Sequence, residues 1–192
     1  MQTPIVNFEG FQSADKLKIE NVVSNVDRAL SDCGFIAASD LGFSEELIAK
    51  VFEASATFFL SDEKNKMRSA YLSAEENFGY QSFASEHLDP ASPADLKETF
   101  TMRNILNATI EDDRWPSAEF KELMQLFFAE CLERAFLLQR ILAEALNLDE
   151  DFFVKFHSGQ NISLRLLHYP ACSSDKIPVS YTHLTLPTKR IV

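Results

Sequence analysis

Asn161-Ile162-Ser163-Leu164-Arg165-Leu166-Leu167-His168-Tyr169-Pro170-Ala171-Cys172 reads as one β-strand closed by a proline. Side chains alternate across a strand, so Ser163, Arg165, Leu167 and Tyr169 share one face, and Ile162, Leu164, Leu166 and His168 share the other. The second face is mostly apolar and suits packing against a helix. The first carries a cation and a phenol, which fit poorly against an apolar core unless a polar ligand meets them. His168 stands on the apolar side, where a histidine is expected to be a core residue with one hydrogen bond rather than a metal ligand. His87 and His157 stand alone in polar text and suggest no cluster.

Upstream of this strand the chain is helix-rich. Pro4–Phe8 is a short β signal closed by Glu9-Gly10. From Asp15 to Cys33, Val22, Val26, Ala29, Leu30 and Cys33 recur at helical spacing, and Gly34 stops the helix. Phe35–Ala38 reads as a second strand. Ser44 offers an N-cap before Glu45 and Glu46, and Leu47, Ile48, Val51, Phe52, Ser55 and Phe59 form the expected buried stripe of the next helix. Ser61–Lys64 begins a short helical turn. Phe78-Gly79-Tyr80 and His87–Pro90 read as loop and edge strand, and Asp95–Met102 as an extended segment. After Trp115-Pro116-Ser117 comes the longest helix, to about Asn147. Its expected inner face is Leu123, Phe127, Cys131, Arg134, Leu138, Ile141 and Ala145, flanked by Met124, Phe128, Leu142 and Leu146. Tyr80, Gln81 and Phe83 read as packing residues, and Asp95, Glu98, Asp112 and Asp113 as a solvated acidic face.

Composition bounds what the chain can do. With 192 residues, 46% hydrophobic and 24% charged, it has the make-up of a globular domain with a real core. Seventeen phenylalanines against five glycines favour a well-filled, helix-rich interior over a turn-rich sandwich. A net charge of −11 argues against a nucleic-acid partner, whose phosphates need a basic face. Cys33, Cys131 and Cys172 are odd in number and far apart, so neither a zinc site nor a disulfide framework is expected. The N-terminus lacks a secretory signal, and no stretch approaches the roughly 18 apolar residues of a membrane span. A cytoplasmic protein without a membrane partner is the expectation.

Segments in a fixed order then carry a family resemblance. Pro4–Phe8, Cys33-Gly34-Phe35-Ile36, Phe58-Phe59-Leu60-Ser61-Asp62-Glu63-Lys64, Gly79-Tyr80, Asp95-Leu96-Lys97-Glu98-Thr99-Phe100, Leu148–Phe153 and Leu164–Pro170 are similar to successive signals of the isopenicillin N synthase-like iron(II)/2-oxoglutarate dioxygenases. Ser61 replaces that family's proline. The resemblance implies an α+β fold, with N-terminal helices that buttress the first strands of an incomplete double-stranded β-helix, or jelly roll. It divides the chain into a helical and β region (1–160), the start of the oxygenase barrel (161–175) and a tail (176–192). It implies that Tyr169 hydrogen-bonds the carboxylate end of 2-oxoglutarate, that Arg165, lining the barrel mouth near the substrate, is a second candidate cofactor-binding residue, and that Tyr80, Gln81 and Phe83, otherwise packing residues, could line a substrate pocket. Leu167 stands where plant members often carry an asparagine.

The same resemblance sets the expectation for chemistry. Non-haem iron(II) sites of this kind need two histidines and one carboxylate on one face of the metal. In the family a His-x-Asp follows the Tyr-Pro strand, and the second histidine comes several strands later. Here His183 lies 14 residues after Tyr169, but position 185 is threonine. All 29 acidic residues precede Lys176, and Tyr181–Arg190 resembles a translated sequencing adapter, so 176–192 is read as a non-native tail. The expectation is the N-terminal fragment of an oxygenase that hydroxylates, desaturates or cyclises a small molecule. The full-length family uses iron(II) and 2-oxoglutarate. This chain is expected to bind neither tightly, to hold no catalytic or metal residue and to be inactive. A non-catalytic acidic helical binding module is the alternative, and a family member that works without 2-oxoglutarate is a further one.

Overall fold

A computed structural model describes residues 2–12, 15–87, 94–157 and 161–171. Cys172, Asp175, the 176–192 tail and His183 within it lie outside the described residues. The fold is α+β, as expected, and the described residues fall into two compact units. One comprises 2–52 with 123–161, the other 53–122 with 162–171.

In the first unit, β1 (Ile5–Asn7) and β2 (Ala37–Ser39) pair in parallel, with Val6 opposite Ala38. Parallel neighbours need a crossover, and α1 (Lys16–Cys33) supplies it. Both ends of α1 are capped as its sequence dictates. The Asp15 carboxylate accepts from Leu17 N–H at 3.0 Å, and Gly34, at φ +77°, donates its N–H to Leu30 O at 2.9 Å. Val22, Val26 and Ala29 of α1 join Val6, Phe8 and Ile141 in a buried core. Because the Asp15 cap satisfies an otherwise orphaned helix N–H, Asp15→Ala is expected to lower stability by about 1 kcal/mol in urea denaturation.

Two helices run through both units, α2 (Glu45–Phe59) and α4 (Ala118–Ala145). Ser44 Oγ and Ser117 Oγ accept from Leu47 N–H and Phe120 N–H and start them. Their buried stripes differ from the expected ones. Phe52 is 73% exposed, because it stands about 100° around the helix from Val51. In α4, Phe120, Met124 and Phe128 lie at the centre of the buried stripe, while Leu146, just past its end, is exposed.

The second unit holds α3 (Glu63–Lys66) and an antiparallel sheet in the order β3–β4–β5, where β3 is Gly79–Gln81, β4 is Glu98–Arg103 and β5 is Ser163–His168. The register sets Tyr80 opposite Phe100 and Phe100 opposite Leu166, and places Thr101 opposite Arg165. One sheet face is thus Tyr80, Glu98, Phe100, Met102, Leu164, Leu166 and His168. The end of α2 and the start of α4 pack on it: the Phe58 ring lies 5.2 Å from Phe100 and 5.7 Å from Tyr80, and Phe120 lies 5.5 Å from Phe100. Phe78 and Tyr80, read from sequence as edge text, are fully buried. Among the described residues no helix is long and apolar enough to cross a membrane.

Candidate functional site

The two faces of the β3–β4–β5 sheet carry different chemistry, and both rest on strand alternation. On the helix-covered face a carboxylate is buried. Glu98 is 4% exposed, which corrects its assignment to a solvated face. Alternation puts it on the side of Phe100 and Met102, and three donors meet it there. Lys66 Nζ lies 2.8 Å and the Tyr80 hydroxyl 2.5 Å from Oε2, and His168 Nδ1–H donates to Oε1 at 2.7 Å. Burial alone would raise the Glu98 pKa, but the bonds from Lys66, Tyr80 and His168 outweigh it and hold the carboxyl below its ordinary range. Burial likewise opposes the Lys66 charge, and the bonds to Glu98, Tyr80 and Glu63 reverse the balance and raise its pKa. Burial and the Glu98 carboxylate push the Tyr80 phenol up, so it stays protonated.

His168, on the apolar face as expected, has Glu98 as its hydrogen-bond partner and stacks on Phe59 with ring centroids 5.3 Å apart. This cluster binds β5 to β4 and α3. It offers no nucleophile and no free base, and its role is structural.

The opposite face is polar. Arg165 extends from β5 over Thr99 and Gln81, with Nη2 3.2 Å from Thr99 Oγ1 and 3.5 Å from Gln81 Oε1. Its guanidinium also forms an ion pair with Glu86, from the segment after β3. Thr99 and Thr101 beside it are buried. Tyr169 follows the last residue of β5 and is 53% exposed. The structure therefore brings Arg165 together with Glu86, Thr99 and Gln81. Glu86 is a partner that sequence reasoning missed, since 79 residues separate the two and no local pattern links them.

The described residues of this face can bind and orient, and among them there is no acid–base or nucleophilic pair. The Cys131 thiol, in the other unit, is pushed up by burial and by Glu130, which makes it a poor nucleophile. Among the described residues no three His, Cys, Asp or Glu side chains converge to hold a metal ion. The donor set for iron(II) is thus not met by them.

Comparison with known proteins agrees with this geometry. The family described as non-haem dioxygenase in morphine synthesis, N-terminal, matches residues 3–124, more than half of the chain. The 2-oxoglutarate-Fe(II) type oxidoreductase hxnY of Emericella nidulans is 24% identical over 188 residues, covering 90% of this chain and 54% of its own length. A 2-oxoglutarate-Fe(II) type oxidoreductase of Aspergillus fumigatus is 27% identical, covering 87% of this chain and 54% of its own. The chain spans about half the length of the curated relatives it matches. Among solved structures, a full-length Neurospora crassa protein in complex with alpha-KG superposes with a TM-score of 0.76 at 26% identity, covering 90% of this chain and 55% of that one. Such neighbours carry the jelly roll, of which the helices and strands here form a partial α+β portion. By family match, curated relatives and fold alike, the chain belongs to the non-haem iron(II)/2-oxoglutarate dioxygenase family.

Proposed function

We propose that this chain is the N-terminal portion of an iron(II)/2-oxoglutarate oxygenase whose complete form hydroxylates, desaturates or cyclises a small molecule, and that the 192 residues alone do not turn over. The observation that carries the reading is the polar sheet face, with Arg165 held over Thr99 and Gln81 and Tyr169 at the strand end. Tyr169 is the residue assigned to 2-oxoglutarate, through a phenol that donates to a carboxylate oxygen. Arg165, already paired with Glu86, is assigned to the substrate side instead of the cosubstrate. When bound, iron(II) and 2-oxoglutarate supply the oxidising chemistry, and the protein positions the substrate and excludes water.

His87, His157, His168 and His183 are the four in the sequence, and His168 is committed to Glu98 and Phe59. The expected result with the purified chain, iron(II) and 2-oxoglutarate is no succinate above background, measured by mass spectrometry. Robust iron-dependent succinate formation refutes the claim of inactivity. The transcript downstream of codon 175 tests the oxygenase reading of the complete protein, which requires the ligands of the facial triad, the first of them as a His-x-Asp in frame within about twenty codons.

A further inference from the structure

The polar sheet face carries a chain of alternating charges. Arg165 Nη2 pairs with Glu86 Oε1, Glu86 Oε2 lies 3.3 Å from Lys97 Nζ, and Lys97 Nζ lies 2.6 Å from Asp95 Oδ2. Two cations thus face two anions, and all four side chains are at least half buried. The backbone fixes the arrangement. Ala84 N–H donates to Lys97 O at 3.1 Å and Asp95 N–H to Glu86 O at 2.8 Å, so the segment bearing Glu86 is tied to the one bearing Lys97. Lys97 keeps its charge: burial opposes it, but the bonds to Asp95 and Glu86 prevail.

We propose that Glu86 is a specificity-determining residue, which neutralises Arg165 so that this face takes an uncharged, hydrogen-bonding part of the substrate and turns carboxylates away. The inference rests on the reading that this face looks onto the substrate. A half-buried arginine without a counter-ion draws carboxylates, which match its donor fork. With Glu86 already on Nη2, a second carboxylate would stand beside the first, and like charges so placed repel strongly. A neutral amide or carbonyl meets no such repulsion. Its oxygen accepts from the guanidinium of Arg165, whose side chain is 35% exposed, and its N–H donates to Glu86. The Thr99 hydroxyl and the Gln81 amide add uncharged partners at the same place.

The test uses two probes of one shape and different charge, benzamide and benzoate, titrated into the 192-residue chain and followed by ligand-observed NMR. The wild type is expected to favour benzamide by about tenfold, since like-charge juxtaposition disfavours benzoate. That preference is expected to shrink as salt is raised from low to high, a readout that needs no variant. Glu86→Gln is expected to bring the ratio to unity or invert it, and Arg165→Gln to weaken benzamide and remove the effect of Glu86→Gln. Equal or tighter binding of benzoate by the wild type, binding of neither probe, or a ratio that Glu86→Gln leaves unmoved overturns the proposal. The transcript test decides the oxygenase reading separately. A native frame with His-x-Asp and an unmoved probe ratio would discard the charge inference alone, and the reverse pair of results would discard the reading alone.

Discussion

Glu98→Ala is expected to lower the stability of the chain by about 3–5 kcal/mol, the range for breaking a buried ion pair by removing one partner. The carboxylate is the common acceptor of Lys66, Tyr80 and His168, so its loss strands a nearly buried ammonium, a phenol and an imidazole together. Glu98→Gln keeps the volume and one acceptor oxygen and should cost less. Replacing Lys66 and Glu98 together by Met and Leu should cost much less than the sum of the single changes, because no uncompensated charge remains. Urea denaturation of Glu98→Ala, Glu98→Gln, the double variant and its two components Lys66→Met and Glu98→Leu checks the order, and additivity of the double would show that Lys66 and Glu98 do not depend on each other.

The same cluster sets a pH dependence with a definite sign. The folded-state pKa of Glu98 lies below the ordinary value of 4.5. Its contribution is therefore complete above that value and is lost as pH falls through the folded one. Lys66 and Tyr80 are raised above their ordinary 10.5 and 10.0, so their contributions are complete below about 10 and lost as pH climbs beyond. Stability should be flat near neutrality and fall on both sides, and Glu98→Gln should flatten the acid limb.

Much of this architecture was legible in the chain, and the reasons differ by element. The end of α1 followed from Gly34, because a left-handed cap is local chemistry, and its start followed from the helical spacing that begins at Asp15, which proves to be the N-cap. Strand β5 followed from alternation and the proline after it, and that alternation set Arg165 and His168 on opposite faces. Glu98 misled because it follows Lys97 in acidic text, where a charged run looks solvated. Its two-residue spacing to Phe100 and Met102 was the signal that it points inward. Phe52 misled in the opposite way, since hydrophobicity alone put it in a stripe that helical geometry does not include. The Glu86–Arg165 pair had no local signal at all. It exists because β3 and β4 return the segment after Gln81 to the polar face of β5, a consequence of sheet order rather than of either neighbourhood.

Gly79→Ala is expected to cost about 3 kcal/mol or more, from backbone strain and overpacking combined. Gly79 has φ +118°, which side-chain-bearing residues rarely adopt, and a Cβ there would stand 2.6 Å from Ser69 O and 2.8 Å from Ala70 O. Those atoms are backbone and cannot swing aside as a flexible side chain would. The approach is close because residues 70–71 run along β3, with Ala70 bridged to Tyr80 and Tyr71 N–H donating to Tyr80 O at 2.8 Å. Moving that segment would carry Tyr80 away from Glu98 and Gln81 away from Thr99, so one methyl group disturbs both faces of the sheet. Gly34→Ala is the control, because φ is +77° there but nothing lies within 4 Å of the new Cβ. It should cost only about 1–2 kcal/mol, the penalty of the left-handed conformation itself. The difference between the two urea midpoints measures the close approach at β3. Equal losses would mean that the 69–71 segment gives way freely and that β3 does not fix the polar face.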